Sequence, residues 1–207
     1  MIVLEKSAEA YSLRDANFEL SFRHVRDRWQ HCLSVRNHDV WSPLLTSVEG
    51  SPTDGVPPSP PLQDLRFEQL ADEVFEFQLL GQSGKGVYSA AVRYDGGAGS
   101  VDFDLCVRGR SREMPLCTTS RYCLPGDGLL PQVRQMSAAV NLLARGGQSV
   151  EVMPVPISGS PPSECRLTVM NDLRQMDAGC FNGMGWEVAG KACSVRWRYG
   201  MAWTRIF

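Results

Sequence analysis

Val74-Phe-Glu-Phe-Gln-Leu-Leu80, Val87-Tyr-Ser-Ala-Ala-Val-Arg-Tyr94 and Val101-Asp-Phe-Asp-Leu-Cys-Val-Arg108 are three runs rich in β-branched and aromatic residues. In the last of them Val101, Phe103, Leu105 and Val107 alternate with Asp102, Asp104, Cys106 and Arg108. A period of two marks a strand with one face buried and one face wet. The connections, Gly81-Gln-Ser-Gly-Lys-Gly86 and Asp95-Gly-Gly-Ala-Gly-Ser100, are rich in residues that accept a positive φ and so turn tightly. Residues 74–108 therefore read as a three-stranded antiparallel meander.

The same period recurs at the C-terminus. Val195, Trp197, Tyr199, Met201 and Trp203 share one face, while Ser194, Arg196, Arg198 and Gly200 share the other. A strand over 194–203 with so heavy an apolar face must lie on a core. Ser149–Val155 and Arg166–Met170 read as further strands. Phe18, Leu20 and Phe22, then Trp29, His31, Leu33 and Val35, fit a hairpin turning at Arg26-Asp27-Arg28. Phe18, Phe22, Val25, Trp29 and Cys32 also fit one face of a helix. The aromatic and β-branched content of the segment favours the hairpin. One helix is expected, over 130–144, with Val133, Met136, Val140 and Leu143 on a face and Gly146-Gly147 as its stop. The proline-rich stretch from Gly50 to Pro61 can form neither helix nor interior strand, and it reads as an extended loop. The expectation is one mainly β domain over 1–207, an antiparallel β-sandwich or partly open barrel carrying one packed helix, with an α+β arrangement as the alternative.

Composition narrows the function classes. The chain has 207 residues, 43% hydrophobic and 21% charged, with a formal net charge of −2. No basic excess marks a nucleic-acid binder, although Arg108, Arg110 and Arg112, and Arg196 and Arg198, cluster locally. No apolar run approaches the roughly 20 residues of a membrane-spanning helix. The opening Met1-Ile-Val-Leu-Glu-Lys-Ser lacks the order of a secretion signal. These features point to a cytoplasmic protein that acts on neither nucleic acid nor membrane. The seven cysteines contain no CxxC pair and read as free, small apolar groups. A zinc site built from distant cysteines is the weaker alternative, because close ligand pairs are missing. No cofactor is implied.

Motifs that carry chemistry are few. Gly81-Gln-Ser-Gly-Lys-Gly86 has the glycines and lysine of a phosphate loop. Its spacing is too short, however, and no helix follows to offer N-terminal amides. Ser83 lacks the closing glycine of a nucleophile elbow, since position 85 is Lys85. The three histidines, His24, His31 and His38, recur at intervals of seven. On a helix they would lie about 10 Å apart, too far to share a metal. On a hairpin His24 and His31 approach across the strands, so these two are the candidate metal ligands. Asp102 and Asp104 share a strand face with Arg108 at about 7 Å spacing, suited to flanking a ligand. Arg196 and Arg198 offer planar forks for an anion. The solvated outer surface of a sheet produces the same pattern at each of these faces and is the favoured reading.

Ser47-Val-Glu-Gly50, Pro58-Ser-Pro-Pro-Leu-Gln63, Leu79-Leu-Gly-Gln-Ser-Gly84 and Tyr88-Ser resemble an uncharacterised family of planctomycete bacteria, as do Asp27-Arg-Trp-Gln-His31 and Phe103-Asp104. The resemblance covers the first half of the chain. It implies a bacterial origin and transfers no activity or site residue.

Three functional expectations follow. The first is a binding protein holding a small polar or anionic ligand in a β-sandwich or barrel cleft at Asp102, Asp104, Arg108, Arg196 and Arg198. The second is a hydrolase or isomerase using Asp102 and Asp104 with a histidine. The third is a structural subunit that binds a protein partner.

Overall fold

The computed structural model describes residues 2–54, 56–109, 117–124, 132–136, 139–144, 148–157, 165–170, 174–180, 186–187 and 193–203. In chain order its strands are β1 (Val3–Lys6), β2 (Ala10–Arg14), β3 (Phe18–Val25), β4 (Arg28–Asn37), β5 (Val40–Ser47), β6 (Asp64–Ala71), β7 (Val74–Ser83), β8 (Gly86–Asp95) and β9 (Ser100–Gly109). They continue with β10 (Thr119–Cys123), β11 (Gln132–Gln135), β12 (Val140–Leu143), β13 (Ser149–Pro154), β14 (Cys165–Met170), β15 (Gln175–Cys180), β16 (Trp186–Glu187) and β17 (Cys193–Trp203).

Two antiparallel sheets pack face to face as a β-sandwich. The first has eight strands in the order β1-β2-β3-β4-β5-β10-β15-β14. The second has nine, ordered β11-β12-β13-β17-β9-β8-β7-β6, with β16 beside β17. The meander over 74–108 is present as β7–β8–β9, with Ser83 opposite Gly86 and Asp95 opposite Ser100 at its turns. The closing strand is present as β17, which inserts between β9 and β13. Period two holds along both: Val101, Phe103, Leu105, Val107, Trp197 and Tyr199 are buried on the inner face.

Residues 18–37 form the hairpin rather than the helix. Phe18 lies opposite Val35 and Phe22 opposite His31, with Arg26 at φ 61° in the turn. Across the sandwich Phe22 meets Phe77 with ring centroids 4.4 Å apart, and Phe18 meets Trp203 at 4.9 Å. Contacts of this kind bind the sheets into one continuous apolar core.

The helix expected over 130–144 is not formed. Its described residues are β11 and β12, paired from Gln132 opposite Leu143 to Gln135 opposite Val140. A helical face would have buried Met136 and Leu143, yet these are 54% and 37% exposed while Leu142 is fully buried. In so short a run the apolar positions fit both periods. Pairing with β13, where Val150 and Val152 lie opposite Leu142 and Val140, decides for the strand. The glycine stop lies outside the described residues.

The proline-rich segment is a strap between the sheets. It leaves the first sheet after β5 and enters the second at β6. Its later half, including Pro57, Ser59, Pro60, Pro61 and Leu62, is buried. Ser59 Oγ accepts from the Arg121 amide at 2.9 Å, and the Leu62 carbonyl accepts from the Trp29 amide at 2.7 Å. The strap crosses β7 where Gly81 leaves room: a Cβ there would sit 1.7 Å from the Pro61 carbonyl oxygen.

Candidate functional site

The antiparallel register places the outer-face residues of β6, β7, β8, β9 and β17 in rows. One row runs Asp64, Leu80, Ser89, Cys106, Arg196, and the next runs Arg66, Gln78, Ala91, Asp104, Arg198. The middle of both rows is small: Ser89, Ala91 and Cys106. Longer side chains stand on either side, with Asp64, Arg66, Gln78 and Leu80 on one wall and Asp104 with Arg196 on the other. The result is an open trough of about 790 Å³ on the outer face of the nine-stranded sheet. Its floor is small and partly apolar, and its walls are polar apart from Leu80, which is half exposed.

The two walls differ electrostatically. Arg196 donates from Nε to Asp104 Oδ1 at 2.7 Å and from Nη2 to Asp104 Oδ2, a fork-to-carboxylate pair. This hydrogen-bonded carboxylate raises the Arg196 guanidinium above its ordinary pKa. Arg198 stands 3.8 Å from both Asp102 and Asp104. Asp104 is therefore neutralised by Arg196 rather than by Arg108, its neighbour on the same strand face. Arg108 is exposed and lies outside the trough lining, as do Asp102 and Arg198. Of the residues expected to hold a ligand, Asp104 and Arg196 come together in the trough, with Asp102 and Arg198 beside them.

The histidines take a different place. His24 lies opposite Trp29 and His31 opposite Phe22, so the hairpin register does not set the two histidines against each other. His24 is exposed at the end of β3, and His38, at φ 55°, is in the turn after β4. Among the described residues no group of three His, Cys, Asp or Glu side chains is placed to hold a metal. His31 is inside the sandwich, its ring 5.1 Å from Phe103. Because Phe103 faces inward and Asp104 outward, β9 separates His31 from the aspartates.

Around His31 runs a buried polar chain that periodicity alone does not reveal. His31 Nε2 is 2.7 Å from the Tyr122 hydroxyl, which is 2.5 Å from the Tyr199 hydroxyl. Burial pushes the His31 pKa down to about 3, so the ring is neutral, and pushes both tyrosines up. The His31 amide donates to Ser47 Oγ at 2.9 Å, and Ser47 Oγ in turn donates to Glu49 Oε1. Glu49 is buried, and desolvation raises its pKa to about 7. It borders a cavity of about 330 Å³ also lined by Arg28, Gln30, Thr46 and Cys123. Glu49 follows β5 in a sequence, Ser47-Val-Glu-Gly50, that carries no catalytic signature, and nothing local announces its burial.

Of Gly81–Gly86, Gly81, Gln82 and Ser83 belong to β7, opposite Tyr88, Val87 and Gly86, and the turn to β8 is Gly84-Lys85, with Gly84 at φ 56°. No helix of the described residues is long and apolar enough to cross a membrane. Compared with known proteins, the chain matches no family model, no curated protein and no solved structure.

Proposed function

We propose that this chain is a binding module and that its ligand, a small polar molecule, lies in the trough over Ser89, Ala91 and Cys106. The observation that carries the reading is the shape of that face: small residues on β8 and β9 floor it, and polar side chains rise on both sides. A rigid sheet holds such walls at fixed spacing, as a pre-organised site requires. The Arg196–Asp104 pair makes one wall locally neutral. Asp64 and Arg66 bring one charge of each sign to the other wall. A ligand with hydrogen-bonding groups, or with balanced charge, therefore suits the trough better than a simple anion.

Catalysis by Asp102 or Asp104 with a histidine is less well supported. No histidine lines the trough, and Asp104 is held as the partner of an arginine. The test is a thermal-shift screen against amino acids, sugars, nucleotides and organic acids, run beside the trough-filling variant Ala91→Trp. A ligand at 100 times its Kd stabilises by about 2.7 kcal/mol, and at this chain length each kcal/mol moves Tm by about 2–4 °C. The expected result is a shift of several degrees that the filled variant loses. A ligand shift equal in both proteins, or no shift from any class, rejects the trough as the site. The latter outcome favours the protein-interaction reading.

A further inference from the structure

We infer that this chain pairs with a second copy of itself through β6, antiparallel about a two-fold axis at Phe67, so that Arg66 of each copy lies opposite Glu68 of the other. β6 ends the nine-stranded sheet: β7 covers one side of it and, among the described residues, no strand covers the other. Among those residues no main-chain hydrogen bond is made on the outer side from Asp64 to Leu70. An edge of this kind presents alternate N–H and C=O groups to any strand that can match it. The inner layer is also incompletely closed there. Phe67 meets Tyr11, Phe75 and Phe77 at centroid distances of 6.0, 5.8 and 5.1 Å. Even so, it and Leu65 stay only half-buried, because the sheet stops beside them.

Charge selects the occupant. Glu68 lies directly opposite Glu76 of β7, a like-charge pair, and Arg66 lies opposite neutral Gln78. Glu76 has Arg93 on its other side, across β8, and accepts from Gln78 Nε2 at 2.9 Å. Glu68 and Arg66 have no such partner among the described residues. The open edge thus carries one unmatched carboxylate and one unmatched guanidinium, two residues apart. A second β6 running antiparallel can meet the first only with its axis at a residue, because outward-pointing groups alternate along both strands. With the axis at Phe67, Arg66 faces Glu68 twice, Leu65 faces Gln69 and Asp64 faces Leu70. With the axis at Arg66, Arg66 faces Arg66 and Asp64 faces Glu68. With the axis at Glu68, Glu68 faces Glu68. Of the three, only the Phe67 register sets opposite signs together and none alike.

That register also fits the strand's shape. It spans Asp64–Leu70 of each copy and stops where the pairing with β7 shifts, between Gln69 and Ala71. At its centre the two Phe67 rings cover each other's open sides, and Leu70, 46% exposed, lies beside Asp64 of the other copy. A two-fold pairing uses the same edge on both chains and so closes on itself, giving a dimer rather than a filament. The two sheets become one, and Arg66, a wall of the trough, gains a carboxylate from the second copy. The pairing stands whether or not the trough holds a ligand.

The test is sedimentation velocity of the full chain at low ionic strength, from micromolar to submillimolar concentration. Wild type should show a reversible monomer–dimer equilibrium. Arg66→Glu or Glu68→Arg makes both cross-strand contacts repulsive and should weaken association by at least about tenfold. The two substitutions combined in one chain put opposite signs together again and should restore it. Hydrogen exchange of wild type at low and high concentration needs no variant. Alternate amides of Asp64–Leu70 should slow as the dimer forms, while those of Val3–Lys6, an edge of the other sheet, should not. A wild-type chain that stays monomeric throughout overturns the pairing, and does so even if β6 takes up an extended peptide of another sequence. A dimer that both reversals leave intact, a double variant that fails to associate, or protection that rises only outside β6 overturns it as well.

Discussion

Replacing Gly81 by alanine tests how the two sheets are tied together. An added Cβ would lie 1.7 Å from the Pro61 carbonyl oxygen, 2.7 Å from its carbonyl carbon and 2.9 Å from Leu62 Cα. All three are backbone atoms, so no rotamer change relieves the overlap. Gly81 does not sit at a positive φ, and alanine in a strand interior is otherwise favoured over glycine by about 0.5–1 kcal/mol. The substitution therefore isolates the steric term. To reach ordinary contact distance the strap must withdraw by more than an ångström. That movement pulls on the hydrogen bonds from the Gln63 amide to the Leu80 carbonyl and from the Trp29 amide to the Leu62 carbonyl, both 2.7 Å. Each contributes about 1 kcal/mol, and loosening buried Leu62 adds about 1–2 kcal/mol from lost apolar burial. The expected destabilisation is about 2–4 kcal/mol in urea-induced unfolding, with increased exchange confined to residues 57–63. Gly97→Ala, whose Cβ would meet nothing nearer than an Asp95 oxygen at 3.4 Å, is the control and should be nearly neutral. A Gly81→Ala protein as stable as wild type, or more so, would refute the view that the strap is clamped on β7.

Tyr122→Phe removes the centre of the buried chain and leaves both His31 Nε2 and the Tyr199 hydroxyl without that partner. Two stranded polar groups predict a loss of about 2–4 kcal/mol in urea unfolding; a loss below 1 kcal/mol would mean that the chain is not a unit. Global stability should also respond to pH through two opposed groups. His31 drops from 6.5 to about 3 on folding, so its contribution is complete above pH 6.5 and is lost as pH falls towards 3. Glu49, shifted up, contributes fully below pH 4.5 and less as pH approaches 7. Between pH 4.5 and 6.5 the two slopes cancel in wild type, and its urea midpoint should stay nearly flat. Glu49→Gln should uncover the histidine slope, a rise of about 1.4 kcal/mol per pH unit. A variant as flat as wild type would show that the two groups are not opposed in this way.

Where a strand's inner face met a core along its whole length, pattern sufficed to place it. β7, β8, β9 and β17 alternate cleanly, and the 18–37 hairpin puts Phe18, Leu20, Phe22, Leu33 and Val35 inside with no exception. Reading failed where the pattern was short or one-sided. β11 and β12 supply so few apolar positions that two periods fit them, and only their neighbour β13 distinguishes the two. β6 shows only weak alternation because, as an edge strand, it exposes most of its residues. A strand that need not hide both faces carries less signal.

The candidate site was legible by residue and illegible by register, and the reason is geometric. That Asp102, Asp104, Arg196 and Arg198 face away from the core follows from alternation within each strand. Which of them meet depends on how β17 slides against β9, and a shift of two residues keeps every inner side chain inside. With Arg198 opposite Asp104 and Arg196 opposite Cys106, the arginines reach back to the aspartates and close the charge. Moved two residues along, Arg196 would face Asp104 directly and Arg198 would face Asp102, a different outer surface over an equally apolar inner one. The core therefore fixes which face these residues occupy. Packing at the ends of the sandwich then selects one register among those the core would accept. Trp203 against Phe18 is one such contact, and the Trp203 indole donating to Asp15 at 3.2 Å is another. Register in other strand pairs likewise sets Tyr122 opposite Ser47, the residue whose hydroxyl bonds Glu49, and Ser89 opposite Cys106 on the trough floor. Both features are products of register, and neither is written in any single stretch of the chain.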